Sequence, residues 1–258
     1  MDEETQQNTQ PVDQVRAKGT NSHLKPQEEA DILCFFHPAS LPAHRAVELV
    51  RETAPHHVHS SHREAHVSDA TIHGNTKNDG VDLDSDSDES DRATSDRLTS
   101  TDIALRMSSH VRDRRMGFVF GRNLNKCDLL MAKDSKRLSS AHFRVYVNHS
   151  GVLMLEDMSM NGTYVDHNLL KSLKANPSNH GLPSTRMLSQ GSIIELPVIA
   201  EKNEEWIRFI VLFPTRKNGE DAYQSNLVDY IQWIKQDERK IQIARAAGGL
   251  LPPARPVS

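Results

Sequence analysis

A series of short apolar segments separated by turn residues constrains the fold of this 258-residue chain more than any other feature. From Ile103 to about Phe213, short β-type runs alternate with Gly- and Asn-containing turns. The candidate strands are Ala104–Met107, Gly117–Gly121, Asp128–Leu130, Phe143–Val147, Val152–Glu156, Thr163–Val165, Ile193–Leu196 and Trp206–Phe213. Many short strands at this spacing predict an all-β antiparallel sandwich, with a polar loop from Asn168 to Pro183.

The residues on either side of the predicted sandwich differ in composition. The first thirty are polar and without periodicity, which predicts a disordered tail. Residues 31–53 contain a strand-length run, Ile32–Phe36, and a short helix, Pro42–Arg51, which we expect to dock on the sandwich because neither buries much surface alone. We therefore expect a largely disordered region (1–102), the sandwich (103–215), and a segment (216–258) with a helix over Asn226–Ala246 and a Pro-rich tail.

Two polar stretches precede the predicted sandwich. A histidine cluster has no cysteine partner, and we expect a solvated loop rather than a zinc site; it consists of His56, His57, His59, His62 and His66. Residues 79–102 hold nine acidic and two basic side chains, a net charge of −7, and predict a self-repelling linker. Ser85, followed by an acid three residues on, is a candidate phospho-acceptor, and an unmodified spacer is the alternative.

The composition of the whole chain excludes several classes of protein. A net charge of −4 gives no sign of nucleic-acid binding, and two cysteines, Cys34 and Cys127, do not make a disulfide framework. The N-terminus lacks a signal-peptide core, and no apolar run is long enough to span a membrane. We expect a soluble intracellular protein, nuclear or cytoplasmic, with no cofactor, metal ion, nucleic acid or membrane partner.

Polar residues at the ends of the predicted strands indicate recognition of an anion. Arg122 follows Gly121, Ser139-Ser140 precedes the strand that begins at Phe143, and Asn161 stands in a turn. A guanidinium, a hydroxyl and a backbone N–H suit the oxygens of phosphothreonine, and an Asn amide can hold a peptide backbone. Between residues 111 and 144, nine basic side chains against three acidic ones leave +6, which attracts an anionic peptide. The pattern favours reading a phosphorylated partner over bond chemistry.

Each of these residues also has an ordinary structural explanation when taken singly. Arg122 would form a surface salt bridge, Ser139 would cap a turn, and His142 would tie a loop to a strand. Asn161-Gly162 alone predicts only a hairpin turn. The order and spacing of the residues make the functional interpretation specific.

The motifs Phe-Gly-Arg, Ser-x-x-His and Asp-x-Ser-x-Asn-Gly-Thr occur in that order and resemble a forkhead-associated (FHA) domain over about Ile103–Thr215. The resemblance implies an eleven-stranded sandwich that binds phosphothreonine peptides through its apical loops. It implies phosphate contacts from Arg122, Ser139 and the Ser140 backbone, a peptide-backbone contact from Asn161, and loop support from Gly121, His142, Gly162 and Thr163. Met160 departs from the family, where Ser or Thr is common, and implies weaker phosphate binding.

The wider chain resembles the N-terminal region of fungal FHA-containing checkpoint serine/threonine protein kinases. The resemblance rests on the acidic linker and on Thr5-Gln6 and Thr9-Gln10, whose threonines are candidate phospho-acceptors, with chance occurrence as the alternative. The kinase motifs are missing, so we expect no enzyme activity. Three hypotheses remain beside a phosphothreonine-binding module in DNA-damage-type signalling: the regulatory part of a kinase, a scaffold without phosphate binding, and self-association through phosphorylated Thr5 or Thr9.

Overall fold

Side chains buried from both sheets fill the space between them, on alternate residues in strands such as Phe143–Val147 and Leu153–Asp157 and on consecutive residues in Ile32–Phe36. The computed structural model describes residues 24–62, 99–172, 183–200, 203–216 and 219–246. The strands in these ranges are β1 (Ile32–Pro38), β2 (Val58–His62), β3 (Thr99–Arg106), β4 (Phe118–Gly121), β5 (Leu129–Leu130), β6 (Phe143–Val147), β7 (Leu153–Asp157), β8 (Thr163–Val165), β9 (Asn168–Leu170), β10 (Thr185–Met187), β11 (Ile193–Ala200) and β12 (Asn203–Leu212). The helices are α1 (Pro26–Glu29), α2 (Leu41–Thr53) and α3 (Glu220–Ala246), with a 3-10 turn at Pro55–His57.

The two sheets have seven and five strands in the described part of the chain. Their orders are β2-β3-β1-β12-β11-β8-β9 and β10-β7-β6-β4-β5. Every pair is antiparallel except β4 with β5, which is parallel. The predicted all-β sandwich with a C-terminal helix is confirmed, with twelve described strands where the resemblance implied eleven.

Aromatic side chains from both sheets meet in the core. The ring of Phe120 in β4 stacks on Phe143 in β6 at a centroid distance of 4.5 Å. Phe36 of β1 stacks on the same Phe120 ring at 5.3 Å and also meets Phe209 of β12 at 5.8 Å. Strand β1 therefore carries a central core residue, although it precedes the predicted start of the sandwich.

Strand β1 lies inside the seven-stranded sheet rather than on its surface. Phe35 pairs with Leu212 of β12 on one side and with Ala104 of β3 on the other. Helix α2 follows, begins at the N-cap Ser40, and packs against β12 and β5. Its buried face consists of Ala43, Ala46, Val47 and Val50. The sheets thus extend beyond the predicted limits 103–215, because a strand with apolar side chains on both faces is stable only where other parts of the chain cover both faces.

Two segments predicted to be disordered contain regular structure. Residues Pro26–Glu29 form the short helix α1, while residues 1–23, with Thr5 and Thr9, lie outside the described residues. The predicted linker 79–102 overlaps β3, and Asp102 is only 3% exposed. Its carboxylate lies 2.8 Å from Nδ1 of His37 in β1, so strand pairing overrides the local charge pattern. Ser85 lies outside the described residues.

Within the described residues, the prediction of a solvated histidine loop is wrong for His57, which is buried, and for His59, which lies in a strand. His57 is 1% exposed, its Nδ1 lies 3.2 Å from the Ala104 carbonyl oxygen, and its ring meets Phe118 edge-on. His59 lies in β2 with its ring beside Phe35. Pairing of β2 with β3 draws these residues into the sheet. His66 lies outside the described residues, and within the described ranges no group of His, Cys, Asp or Glu has the arrangement of a metal site.

Strand β9 lies where a loop was predicted, from Asn168 onward. It forms a hairpin with β8 through Asp166 and His167, whose φ angles are +49° and +62°. Two consecutive positive φ values are those of a tight hairpin turn, but Asp-His lacks the glycine that usually marks one in a sequence. Strand β10, also unpredicted, pairs with β7.

Helix α3 begins at Glu220, six residues earlier than predicted, and covers one end of the sandwich. It buries Tyr223, Leu227, Tyr230 and Ile234. Asp237 pairs with Arg115 before β4 at 3.3 Å, and Glu238 pairs with His149 in the β6–β7 turn at 3.2 Å. The opposite end of the sandwich carries the loops that follow β4, precede β6 and follow β7. No helix in the described part of the chain is long and apolar enough to cross a membrane.

Candidate functional site

Three loops meet at the end of the sandwich opposite α3. They are the β4–β5 loop (122–128), the β5–β6 loop (131–142) and the β7–β8 loop (158–162). The backbone N–H of Arg122 donates to the Ser139 carbonyl at 3.2 Å, and the N–H of Met160 donates to Ser139 Oγ at 3.2 Å. Nδ2 of Asn161 donates to the Arg137 carbonyl at 2.8 Å. The structure therefore brings together the residues predicted to bind a phosphopeptide.

Gly121 allows the first two loops to approach each other. A Cβ on Gly121 would lie 2.2 Å from the carbonyl oxygen of Ser140, far inside contact distance. On either side of it, the N–H of His142 donates to the Phe120 carbonyl at 2.7 Å, and the N–H of Asn123 donates to the Ser140 carbonyl at 3.3 Å. Any side chain at position 121 would force the loops apart, so the backbone here requires glycine.

His142 connects the β5–β6 loop to the β7–β8 loop from within the core. The side chain is 0% exposed; Nδ1 accepts a hydrogen bond from the Ser139 N–H at 3.0 Å, and Nε2 lies 3.2 Å from the Gly162 carbonyl. Only a neutral ring with its proton on Nε2 satisfies both partners. Burial lowers the pKa of His142 to about 4. This position fits the predicted supporting role, which stays a prediction.

A buried carboxylate organises the β7–β8 loop. Asp157, 1% exposed, accepts hydrogen bonds from Thr163 Oγ1 at 2.7 Å, Ser159 Oγ at 2.8 Å and the Ser172 N–H at 2.9 Å. Burial raises the pKa of Asp157, and these hydrogen bonds oppose the rise. Gly162 completes the turn with φ of +91°, where a Cβ would lie 2.7 Å from the Leu170 carbonyl oxygen. No role was predicted for Asp157, although an acid two residues before a serine is a turn signal.

The two side chains predicted to bind phosphate differ in exposure: Arg122 is exposed and Ser139 is partly buried. Arg122 is exposed, and its guanidinium makes no hydrogen bond or ion pair with any described residue. Ser139 Oγ accepts one hydrogen bond, and its own proton has no acceptor among the described residues. Beside Arg122 lies an open depression of about 310 Å³ lined by Arg122, Asn123, Leu124, Leu130, Lys133 and Ser140. The arrangement offers a guanidinium fork and a hydroxyl to a bound anion.

Asn161 and Met160 lie on the rim of this surface. Asn161 is exposed and uses one Nδ2 hydrogen for the Arg137 carbonyl. Its second Nδ2 hydrogen and its Oδ1 remain able to bracket a peptide group. Met160, whose side chain is 63% exposed, contributes its backbone N–H to Ser139 and an apolar side chain to the surface.

The basic excess counted along the sequence is spread over more than this site. Arg115 pairs with Asp113 at 2.5 Å, and Arg144 pairs with Glu156 at 2.5 Å on the outer face of the five-stranded sheet. Lys133, which the sequence analysis counted without a role, lines the depression and lies 3.9 Å from Glu52 of α2. Arg122 and Lys133 are the two basic side chains that line the depression, and only the fold distinguishes Lys133 from the other basic residues counted along the sequence.

Acidification is expected to destabilise the fold between about pH 6.5 and pH 4. Burial lowers the pKa of both His57 and His142 to about 4, whereas an unfolded histidine titrates near 6.5. As the pH falls, the unfolded chain takes up these protons before the folded chain does. The contribution of the two neutral histidines to the free energy of unfolding is therefore complete above pH 6.5 and decreases as the pH drops toward 4. The loss is on the order of 3 kcal/mol for each histidine. Denaturant unfolding at a series of pH values measures it.

A His57→Gln variant provides the control for this pH dependence. Burial raises the pKa of Asp128 and of Asp157, so protonation of these two carboxylates favours the folded state. Their effect on the pH dependence of stability therefore opposes that of the histidines. The variant retains both carboxylates, and the dependence of its stability on pH is expected to be weaker than that of the unaltered protein. An unchanged pH dependence would show that His57 is not buried in its neutral form.

The loops at one end of this β-sandwich present a guanidinium, a hydroxyl and an amide, groups that can form hydrogen bonds with an anion or a peptide. Residues 118–196 match the model of the FHA domain family, and this match runs from β4 into β11 and includes all three loops. The chain carries an FHA domain over these residues, with β1, β2, β3 and α2 outside the matched stretch.

Several solved FHA domain structures are similar to the chain. The N-terminal FHA domain of S. cerevisiae Rad53 in complex with a phosphothreonine peptide is 28% identical, with 37% of this chain and 66% of that chain covered and a TM-score of 0.29. The FHA1 domain of yeast Rad53 is 23% identical, with coverage of 53% and 74% and a TM-score of 0.31. An engineered FHA with a Myc-pTBD peptide is 21% identical, with coverage of 51% and 91% and a TM-score of 0.34.

The chain thus spans just under two thirds of the first of these three structures. At such TM-scores the superpositions do not bear on function. No curated protein matches the chain.

Proposed function

We propose that this chain is a phosphothreonine-peptide-binding module for phosphorylation-dependent protein–protein interaction. The observation that carries the proposal is the exposed guanidinium of Arg122, which has no partner among the described residues. It lies at the end of the sandwich where the loops of Ser139 and Asn161 meet. A phosphate monoester carries nearly two negative charges and three strong acceptor oxygens. A guanidinium that is not already paired with a carboxylate is the group with which such an anion pairs most strongly.

The roles follow from the geometry of the loops. Arg122 and the Ser139 hydroxyl donate to phosphate, and the Ser140 N–H, which donates to no other described group, adds a third donor. Asn161 holds the peptide backbone through its open amide hydrogen and Oδ1 while keeping its bond to Arg137. Gly121, His142, Gly162 and Thr163 maintain the loops through the contacts described above. Met160 supplies only a backbone bond and thus no side-chain hydroxyl for phosphate.

Titration with peptides tests this proposal. An oriented phosphothreonine library identifies a ligand, and isothermal titration compares that peptide with its unphosphorylated form. We expect binding only of the phosphorylated form, because the unphosphorylated hydroxyl leaves Arg122 without an anion. Equal affinity for both forms, or none for any library member, would reject the proposal.

The setting that we propose is checkpoint or DNA-damage-type signalling in the nucleus or cytoplasm, without phosphate transfer by this chain. The support is the pair of Thr-Gln dipeptides at Thr5 and Thr9 and the acidic stretch around Ser85. The alternative, that the chain is the regulatory part of an FHA-containing protein kinase, is tested by reading the transcript beyond Ser258 for a glycine-rich loop and a catalytic Asp.

Self-association is a further part of this proposal. A phosphorylated Thr5 or Thr9 would occupy the loop site of a second molecule, because ligand and receptor belong to the same chain. Sedimentation of the phosphorylated protein measures it. A monomer at high concentration would contradict it.

A further inference from the structure

Arg112 lies between β3 and β4 and is not among the residues predicted to bind the peptide. Its guanidinium nevertheless reaches the β4–β5 loop. Nε donates to the Cys127 carbonyl at 3.3 Å and Nη1 to the Asn125 carbonyl at 3.1 Å. Nη2 donates to the Leu124 carbonyl. One side chain thus satisfies three of the carbonyl groups in the loop that begins with Arg122.

The backbone of Arg112 is tied to the end of the same loop. Its N–H donates to Asp128 Oδ1 at 2.8 Å, and the other carboxylate oxygen accepts the Val119 N–H of β4 at 2.9 Å. The N–H of Asp128 donates to the Val119 carbonyl at 2.7 Å. Arg112 is therefore fixed against β4 at the point where the loop rejoins the sheet.

The topology explains why the carbonyl groups of this loop need a hydrogen-bond donor from another part of the chain. Strands β4 and β5 are parallel neighbours, and parallel neighbours are usually joined by a crossover of a dozen or more residues. Here the chain turns back over residues 122–128 without a helix. In the returning half only the Asp128 N–H bonds to the backbone of a described strand, and the Leu124, Asn125 and Cys127 carbonyls accept from the Arg112 side chain instead.

The loop is held on two sides. The half that leaves β4 is held by the carbonyls of Ser139 and Ser140, which accept from Arg122 and Asn123. The returning half is held by Arg112, and it includes Leu124, which is 42% exposed and lines the depression beside Arg122. Without the Arg112 side chain, the returning half and Leu124 would be held only by the turn bonds to Asn123 and by the Asp128–Val119 bond.

We propose that Arg112 is a positioning residue that fixes the β4–β5 loop for peptide binding. It acts through the Leu124, Asn125 and Cys127 carbonyls and does not itself touch the ligand. The proposal rests on the proposed function for its effect on affinity, but its effect on the loop is independent of any peptide.

Amide hydrogen exchange in the peptide-free protein tests the effect on the loop. Arg112→Lys keeps the charge but cannot form three hydrogen bonds in a planar fork. The N–H groups of Lys126 and Cys127, which donate to the Asn123 carbonyl, are expected to exchange about tenfold faster. Exchange of Val145 in the core strand β6 is expected not to change, which separates loop release from general destabilisation. Unchanged exchange of Lys126 and Cys127 would overturn the proposal.

Peptide affinity tests the consequence. Arg112→Lys is expected to weaken phosphothreonine-peptide binding about tenfold at both low and high salt, because charge is retained while position is lost. Lys126→Met removes one charge from the same loop, and its smaller effect is expected to vanish at high salt. Affinity equal to that of the unaltered protein in Arg112→Lys would overturn the proposal. Absence of phosphopeptide binding by the unaltered protein would reject the proposed function, while the exchange experiment would still decide the role of Arg112.

Discussion

A chain cut back to residues 103–215, the predicted limits of the sandwich, is expected not to fold. The cut removes β1 from between β3 and β12, together with five large core side chains that are at most 2% exposed: Ile32, Leu33, Phe36, Val47 and Val50. At about 2 kcal/mol for each buried side chain, the loss is on the order of 10 kcal/mol. That equals the whole stability of a typical domain, which is about 5–15 kcal/mol. Near-UV circular dichroism and thermal unfolding measure the result.

The matched control is a chain of residues 24–246, which keeps every described element. It is expected to unfold in one cooperative transition and to give a dispersed amide spectrum. A cooperative transition in the 103–215 chain would show that the FHA-matched strands form a sandwich without β1 and α2. That result would contradict the central position of β1.

Arg122→Met is expected to weaken phosphothreonine-peptide binding about a hundredfold. The substitution removes a charge-assisted hydrogen-bond donor, which corresponds to roughly 2–3 kcal/mol. Stability is expected to change little, because the guanidinium is exposed and bonds to no described residue. Fluorescence anisotropy with a labelled phosphopeptide measures affinity, and thermal unfolding measures stability.

Lys126→Met is the control, since it removes one exposed positive charge from the same loop. A loss of affinity from Lys126→Met as large as that from Arg122→Met would mean that net charge, not a specific contact, attracts the peptide. Full affinity in the Arg122→Met protein would remove Arg122 from the site.

Local periodicity was enough to locate the strands that have one buried face. Phe143–Val147 and Thr163–Val165 were predicted at the residues where β6 and β8 occur. Strand β1 was different, because five consecutive apolar residues from Ile32 to Phe36 carry no alternation. Such a run indicates burial on both faces but does not identify its neighbours, which here lie far along the sequence.

Polar segments were wrongly predicted to be loops or linkers where they pair with other parts of the fold. His57 has the composition of a solvent loop but is buried beside Ala104, and Asp102 belongs to an acidic stretch but pairs with His37 inside a sheet. Strand β9 follows a turn without glycine. For His57 and Asp102, partners distant in sequence decide the structure, and no local pattern indicates those partners.

The main residues of the candidate site were predictable because their order follows the strand ends. Arg122, Ser139 and Asn161 each stand where a strand begins or ends, and the sandwich brings those ends together. Their ligand-binding roles stay predictions. Lys133 and Leu124 border the depression only because of loop shape, and Arg112 acts through carbonyl groups that a sequence does not display.

The central position of β1 also affects how the protein is made. Pro38 pairs with Phe209, so 171 residues of synthesis separate the two partners. At about 5–20 residues per second, the second edge of β1 stays open for roughly 9 to 34 seconds after the strand emerges, even if β3 has already covered the first. During that interval a ribosome-bound chain displays an apolar strand with free N–H and C=O groups, the condition under which neighbouring nascent chains join edge to edge.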